Sequence, residues 1–335
     1  MQIIKKSKNL NIAVIGWFNY LNAGDERVGE VLIKLFNNHN VSLINNYNRE
    51  LLKCFDLLIF TAGTWHPRNE ISRDFQKWYS KIKITYIALG VGVEYSLDEK
   101  VKKNYDYFVS NSLFTYVRDT DSAKALGNQA TIIIGPDITW LYPFKEIKSY
   151  SPTNKIYANL RPYGKLKSEI DDLAVFLRHN MNIDMFYSLS PEDSKLAKKY
   201  NFTKIRNFDQ RRIPKYCFFV PGVRLHFLVF CQQSTIPHYN FVYHQKSGSL
   251  ENQYESILNK SPKLFNLKDF KDDSHLFDPD NLVKEHEILK NSRILNTRNA
   301  NQIKEQILSA LESVEKNNYS SSMNFKIKQK LLTYF

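Results

Sequence analysis

Two short stretches of this 335-residue chain gather side chains able to do chemistry. The first, Val220-Pro221-Gly222-Val223-Arg224-Leu225-His226, lies between an apolar strand-like run and the apolar segment Phe227 to Cys231. Pro221 and Gly222 punctuate the chain there and predict a strand-to-helix turn. Arg224 and His226 are two residues apart, so they diverge on a helix; they converge on one ligand if Arg224 sits in the turn and His226 opens the helix. A guanidinium fork, an imidazole and the positive end of a helix together suit a ligand that carries phosphate or carboxylate and needs a proton moved. The plainer alternative is a structural ion pair at Arg224 and a capping role for His226.

The second stretch is Asn22-Ala23-Gly24-Asp25-Glu26, ahead of a helical pattern. Gly24 allows close backbone approach, and Asp25 and Glu26 fall where a helix start leaves amide groups unpaired. Two readings stand: an N-cap followed by first-turn acids, or Asp25 as a base or hydroxyl ligand for a sugar. Arg161, in Ala158-Asn159-Leu160-Arg161-Pro162, and Lys246, after Phe241 to Tyr243, also follow strand-like runs. Each is an anion ligand or an ordinary solvated cation. Thr61-Ala62-Gly63-Thr64-Trp65-His66 adds an indole that can stack on a sugar ring. Leu89-Gly90-Val91-Gly92 at a strand end is not a GxGxxG fingerprint and implies no dinucleotide. Arg118-Asp119 reads as a structural pair opening a helix, and Asp137 as a turn residue.

These positions depend on the elements that carry them. Continuous apolar, β-branched runs predict strands at Asn11 to Gly16, Val41 to Asn45, Leu57 to Ala62, Ile84 to Leu89, Phe114 to Arg118 and Thr131 to Ile134. Amphipathic stretches between them predict helices over Asp25 to Phe36, Ile71 to Lys81, Leu97 to Val109 and Thr120 to Leu126. Strands without alternation are covered on both faces, as in doubly wound folds. Leu141 to Asn154, with Pro143 and Pro152, reads as a linker. A second series follows, with strands at Lys155 to Leu160, Ile183 to Ser188, Lys204 to Asn207, Cys217 to Val220 and Tyr239 to Tyr243. Its helices are Ser168 to His179, Pro191 to Tyr200, Leu225 to Gln232, Leu250 to Leu258 and Asn301 to Lys316, with Phe265 to His286 polar and irregular. The expectation is an α/β protein of two Rossmann-like domains with mainly parallel sheets facing a cleft, residues 1–146 and 147–335, the C-terminal helices packing back on the first. Ligands in such sheets sit beyond the carboxyl ends of strands.

Forty-seven Lys and Arg against 34 Asp and Glu give a net charge of +13, which favours an anionic partner. Three cysteines, Cys54, Cys217 and Cys231, lack CxxC or Cys/His spacing, which points away from a disulfide framework or zinc site and toward a reducing compartment. The apolar run after the basic N-terminus covers only Ile12 to Gly16, too short for a signal or membrane segment, so a cytoplasmic location is expected.

Taken in order, the motifs resemble the polysaccharide pyruvyl transferase family. Its pattern has an early N-x-G-D-E turn, a glycine-bearing strand end, an R-D pair before a helix, an Asp after the next strand, a late R-L-H and a Lys after the strand that follows. Here these are Asn22 to Glu26, Gly63, Arg118 and Asp119, Asp137, Arg224 to His226, and Lys246, within residues 11 to 246. The chain departs from the pattern at Thr61-Ala62-Gly63, where a richer glycine run is common, and at His238, near a site usually aliphatic. The resemblance implies a GT-B-like architecture with the acceptor on the first domain and phosphoenolpyruvate, a co-substrate rather than a cofactor, on the second. It implies His226 as acid or phosphate ligand, Arg224 and Arg161 as anion clamps, Lys246 as an auxiliary phosphate contact and Asp25 as acceptor-side base. Asn22, Trp65 and His66 join Asp25 around the saccharide, which is free, nucleotide-linked or lipid-linked, and neither metal nor nucleic acid is needed. The rival readings are a GT-B-type glycosyltransferase using a nucleotide sugar, and a non-catalytic binder of nucleic acid or membrane. The basic, aromatic tail Asn324 to Phe335 would give such a protein, or the enzyme itself, a peripheral membrane contact.

Overall fold

The computed structural model describes residues 9–45, 48–61, 64–65, 70–147, 150, 156–162, 164, 167–181, 183–209, 218–221, 224–238 and 278–332. The density of internal contacts divides the chain into two units, one of residues 1–18, 28–138 and 300–335, the other of residues 19–27 and 139–299.

The first unit is a parallel sheet wrapped by helices. Its elements are β1 (Asn11–Ile15), α1 (Ala23–Leu35, of which residues 23–27 count with the second unit), β2 (Asn40–Ile44), α2 (Arg49–Leu52), β3 (Leu57–Thr61), β4 (Thr64–Trp65), α3 (Glu70–Tyr79), β5 (Tyr86–Val93), α4 (Glu99–Asn111), β6 (Phe114–Val117), α5 (Thr120–Ala125) and β7 (Ile132–Ile134). The strands run β2-β1-β3-β5-β6-β7, with β4 beside β5. Every residue of β3 and β5 is buried, as continuous apolar runs require when helices cover both faces. Phe60, Phe75, Tyr86 and Phe108 meet in edge-on and stacked pairs between sheet and helices.

The two glycines expected at the end of the fourth predicted strand instead lie inside β5. Gly90 has φ +64°, and the pairing with β6 slips between Leu89 and Val91, so glycine permits a bulge and the strand runs on to Val93. A side chain at Gly92 would collide with the buried Arg118 guanidinium. Arg118 Nε lies 3.5 Å from Asp119, which caps α5 by accepting the Ser122 amide hydrogen at 2.6 Å. This pair does open the helix, as its sequence suggested. Asp137 lies in the irregular connection after β7, where a turn residue was expected, but it is buried, and its charge acts on the Tyr116 hydroxyl, whose ionisation burial already pushes up.

The second unit holds β8 (Ile156–Asn159), α6 (Lys167–Asn180), β9 (Ile183–Ser188), α7 (Pro191–Lys199), β10 (Ile205–Asn207), β11 (Phe218–Pro221) and α8 (Leu225–Gln233). All pairings are parallel, in the order β10-β9-β8-β11, so the direction of winding changes between β8 and β11. Ile170, Leu173, Ala174 and Leu177 of α6 recur at helical spacing and pack on Phe186, Leu196 and Phe202. Phe227, Phe230 and Cys231 of α8 pack with Phe144, Tyr187 and Leu189. The class expected from the sequence, α/β with two Rossmann-like parallel sheets, is the class observed.

A final helix, α9 (Pro279–Leu332), is far longer than the expected Asn301 to Lys316. Proline suits its first position, and Asp278 accepts the Asp280 amide hydrogen at 2.9 Å. The strand expected over Tyr239 to Tyr243 and the helix over Leu250 to Leu258 lie outside the described residues. Among those described, no helix is long and apolar enough to cross a membrane.

Candidate functional site

The carboxyl edge of the second unit's sheet collects side chains from three strands. Asn159 ends β8 with Arg161 two residues on; β9 runs into Ser190 and the first turn of α7; β11 leads to Arg224 just before α8. The switch between β8 and β11 lies among them, where an open parallel sheet forms its binding crevice.

Arg224 has extended backbone, φ −104° and ψ 118°, and His226 stands in the first turn of α8, so one lies in the turn and the other opens the helix. The Arg224 guanidinium is buried on a carboxylate that no local pattern identified. Its Nε donates to both oxygens of Asp193 at 2.9 and 2.8 Å, and its Nη2 donates to Asp193 at 2.7 Å and to the Ser190 hydroxyl. Asp193 is 0% exposed and also accepts from the Leu189 backbone N–H at 3.0 Å and the Asn159 amide at 3.1 Å. Every donor facing this carboxylate is thus pinned, and two strand ends and two helix starts are tied together. The ionic cluster extends outward, with Glu192 lying 3.7 Å from Arg224 Nη2 and 4.0 Å from Arg161 Nε. Arg161 is 37% exposed at its side chain, Arg224 8%. The reading of Arg224 as a structural ion-pair residue is therefore correct in geometry; it is compatible with a binding role, because all these bonds use Nε and Nη2.

The turn at 22–26 belongs to the same unit. Asn22 caps α1, accepting the Gly24 amide hydrogen at 3.2 Å while its own amide donates to Asp25 at 2.6 Å. Asp25 is 4% exposed, an interior acid rather than an open one. The backbone N–H of Ala23 donates to the Leu189 carbonyl at 2.9 Å, which anchors the turn to the end of β9. Arg27 continues the anchor through the Tyr142 carbonyl at 2.6 Å and the Phe144 ring at 4.9 Å. Gly24 is where the two motifs touch: a β-carbon there would overlap the His226 imidazole, which lies directly on the glycine backbone. Asn19 and Leu21, just before the cap, have φ of 65° and 56°, a left-handed conformation that costs a non-glycine residue about 1–2 kcal/mol.

Beside this cluster lies a pocket of about 560 Å³, walled by the 22–26 turn, the end of β9 and one face of α7. Cys231 of α8 is buried, and burial, then the Glu285 carboxylate, raise its thiol well above its ordinary range. Of the other expected site residues, Trp65 lies in β4, whose backbone pairs with Val93. Its indole, Gly63, His66 and Lys246 lie outside the described residues. Asp193, Asn159, Ser190 and Glu192 are the members that sequence reasoning missed. The only signal was Ser190-Pro191-Glu192-Asp193, a helix start, which explains first-turn acids without singling out one of them.

Among solved structures, the chain resembles the Anabaena protein HepE in complex with UDP and glucose, at 9% identity and a TM-score of 0.51, covering 91% of this chain and 100% of that one. This likeness is one of fold. Weaker matches include a putative UDP-N-acetylglucosamine 2-epimerase from Listeria monocytogenes, at 8% identity and a TM-score of 0.49 over 90% of this chain and 97% of the other. Another is the accessory secretory protein structure from Streptococcus pneumoniae, at 12% identity and 0.45 over 77% of this chain and 54% of the other, so the chain spans about half that protein's length. No curated protein matches by sequence. Residues 22–245, which begin at the Asn22 cap and pass through Asp193 and the Arg224–His226 turn, match the family model described as polysaccharide pyruvyl transferase, and the chain belongs to that transferase family.

Proposed function

We propose that the chain transfers pyruvate from phosphoenolpyruvate to two hydroxyls of a saccharide as a cyclic ketal, in the cytoplasm, during synthesis of a cell-surface glycan. The observation that carries this reading is the contact of the Gly24 backbone with His226, which joins a sugar-suited turn to an Arg–His pair suited to an enol phosphate. In this scheme a proton adds to the donor's methylene carbon, giving cationic character at the carbon that bears carboxylate and phosphate. One acceptor hydroxyl adds there, inorganic phosphate departs, and the second hydroxyl closes the ring. The two hydroxyl protons balance the new methyl C–H bond and the released phosphate.

His226 supplies or relays the first proton or holds the phosphate, on a helix start whose amide groups favour anions. Arg224, with its orientation set by Asp193, and Arg161, more exposed, hold the two anionic groups of the donor, with Lys246 assisting. Asp25 is the acceptor-side base, and Asn22, Trp65 and His66 contact the saccharide. Isothermal titration of phosphoenolpyruvate against the parent, Arg161→Ala and His226→Ala tests the assignment. The account expects at least tenfold weaker donor binding in each variant, with each variant still folded at the temperature of the titration. Equal affinity in all three would refute it.

A further inference from the structure

The 560 Å³ pocket that Ser190 lines falls within the usual range for small-molecule sites and is far roomier than a three-carbon phosphate ester needs. Its wall has two chemistries. Lys195 and Lys198 stand three apart on α7 and so share one face; both are exposed, and neither forms an ion pair with a described residue, whereas the adjacent Lys199 is held 3.0 Å from Asp171. The other part carries Ser188, Ser190 and Ser194, with the Ser194 hydroxyl donating to Ser188 at 2.8 Å, and the amide of Asn207. Glu26 also lines the pocket, its carboxylate accepting the Asn19 backbone N–H at 2.7 Å, so one negative charge faces two positive ones. Leu21, held left-handed, also lines it. Ser190 belongs to both regions, since its hydroxyl also accepts from Arg224.

We propose that this pocket binds the diphosphate of a carrier-linked saccharide acceptor. This rests on the pyruvyl-transfer reading and assigns the linkage that joins the acceptor to its carrier. Two ammonium groups on one helical face match two phosphoryl groups, while hydroxyls, an amide and a carboxylate match sugar hydroxyls. Ser190 then marks the point where the acceptor's sugar approaches the donor clamp.

The test is titration calorimetry of the full chain with inorganic pyrophosphate, on the parent, Lys195→Gln/Lys198→Gln and Lys195→Arg/Lys198→Arg. Pyrophosphate should bind the parent, at least tenfold more weakly to the Gln pair and within about threefold of the parent to the Arg pair, while the phosphoenolpyruvate affinity of the Gln pair changes less than twofold. Both variants should unfold at the parent's midpoint, because these side chains have no ion-pair partner among the described residues. UDP binding tighter than pyrophosphate would assign a nucleotide carrier, and geranyl diphosphate binding tighter would assign a lipid carrier; either supports the pocket. Absence of pyrophosphate binding, or equal binding to the parent and the Gln pair, overturns the proposal. Failure of the donor reading is distinct from this, as lysine-dependent pyrophosphate binding by a chain that ignores phosphoenolpyruvate.

Discussion

Replacing Asp193 by Asn removes one charge and almost no volume, and it acts where three strands converge. The carboxylate accepts from Arg224 Nε and Nη2, from Leu189 N–H and from Asn159, at 2.7 to 3.1 Å. An amide offers a single acceptor oxygen, so its NH₂ must point at another donor whichever way it turns. It also leaves a guanidinium only 8% exposed opposite a neutral group. Breaking a buried pair by removing one partner costs about 3–5 kcal/mol, a large share of a total stability of about 5–15 kcal/mol. With a urea slope of about 1–3 kcal/mol per molar, the unfolding midpoint should fall by more than about 1 M. Arg224→Met should be costly for the same reason, whereas Asp193→Asn/Arg224→Met removes both charges and should recover at least about 2 kcal/mol of the summed losses. Urea unfolding of the four proteins, followed by circular dichroism, measures this cycle. Losses that add within about 0.5 kcal/mol, or a single-variant cost below about 1 kcal/mol, would refute the idea that Asp193 and Arg224 act as one unit.

Gly24→Ala inserts a methyl into the His226 ring and its β-carbon; it should cost about 1–3 kcal/mol by overpacking and lower donor affinity at least tenfold, and parent-like values in both measurements would contradict the contact. Asp25→Asn should abolish turnover while leaving phosphoenolpyruvate binding within about threefold, which calorimetry beside a phosphate-release assay would check. The imidazole of His238 is pushed down to about 4 by burial, partly opposed by the Ile236 carbonyl at 2.8 Å. Since the unfolded histidine titrates near 6.5, the unfolded state binds more protons between these values, and stability present above pH 6.5 is lost as pH falls toward 4. From pH 7 to 5 this amounts to up to about 2 kcal/mol. Urea midpoints at the two pH values should separate less in His238→Gln than in the parent, and equal separation would remove His238 as the cause.

Strands were legible wherever both faces are buried, because a short unbroken apolar run such as Leu57 to Phe60, bounded by polar residues, suits a strand covered on both sides. Their ends were less so, since Gly90 and Gly92 read as punctuation yet serve a bulge and an arginine contact within β5. The first half of α9 escaped notice because polar residues occupy its buried stripe. Leu282, His286, Leu289, Ser292, Asn296, Ala300 and Ile303 recur at helical spacing and are all buried, but three of them look like surface residues. They are tolerated inside because they are bonded: the His286 ring nitrogen Nδ1 meets the Thr235 carbonyl at 2.6 Å, and the Asn296 amide donates to Ser292 at 3.3 Å. In the site, Arg224, His226 and the 22–26 turn could be found from residue type and punctuation alone. Asp193 could not, since it meets Arg224 across 31 residues through a strand order that no local periodicity encodes.

The most direct measurement follows the phosphorus of phosphoenolpyruvate by ³¹P NMR while the protein is incubated with a panel of free, nucleotide-linked and lipid-linked saccharides. The account predicts inorganic phosphate that appears only with an acceptor present, in step with a saccharide heavier by one ketal-linked pyruvate, and not with His226→Ala. Intact phosphoenolpyruvate across the panel, with a nucleotide sugar consumed and free nucleotide released instead, would contradict it.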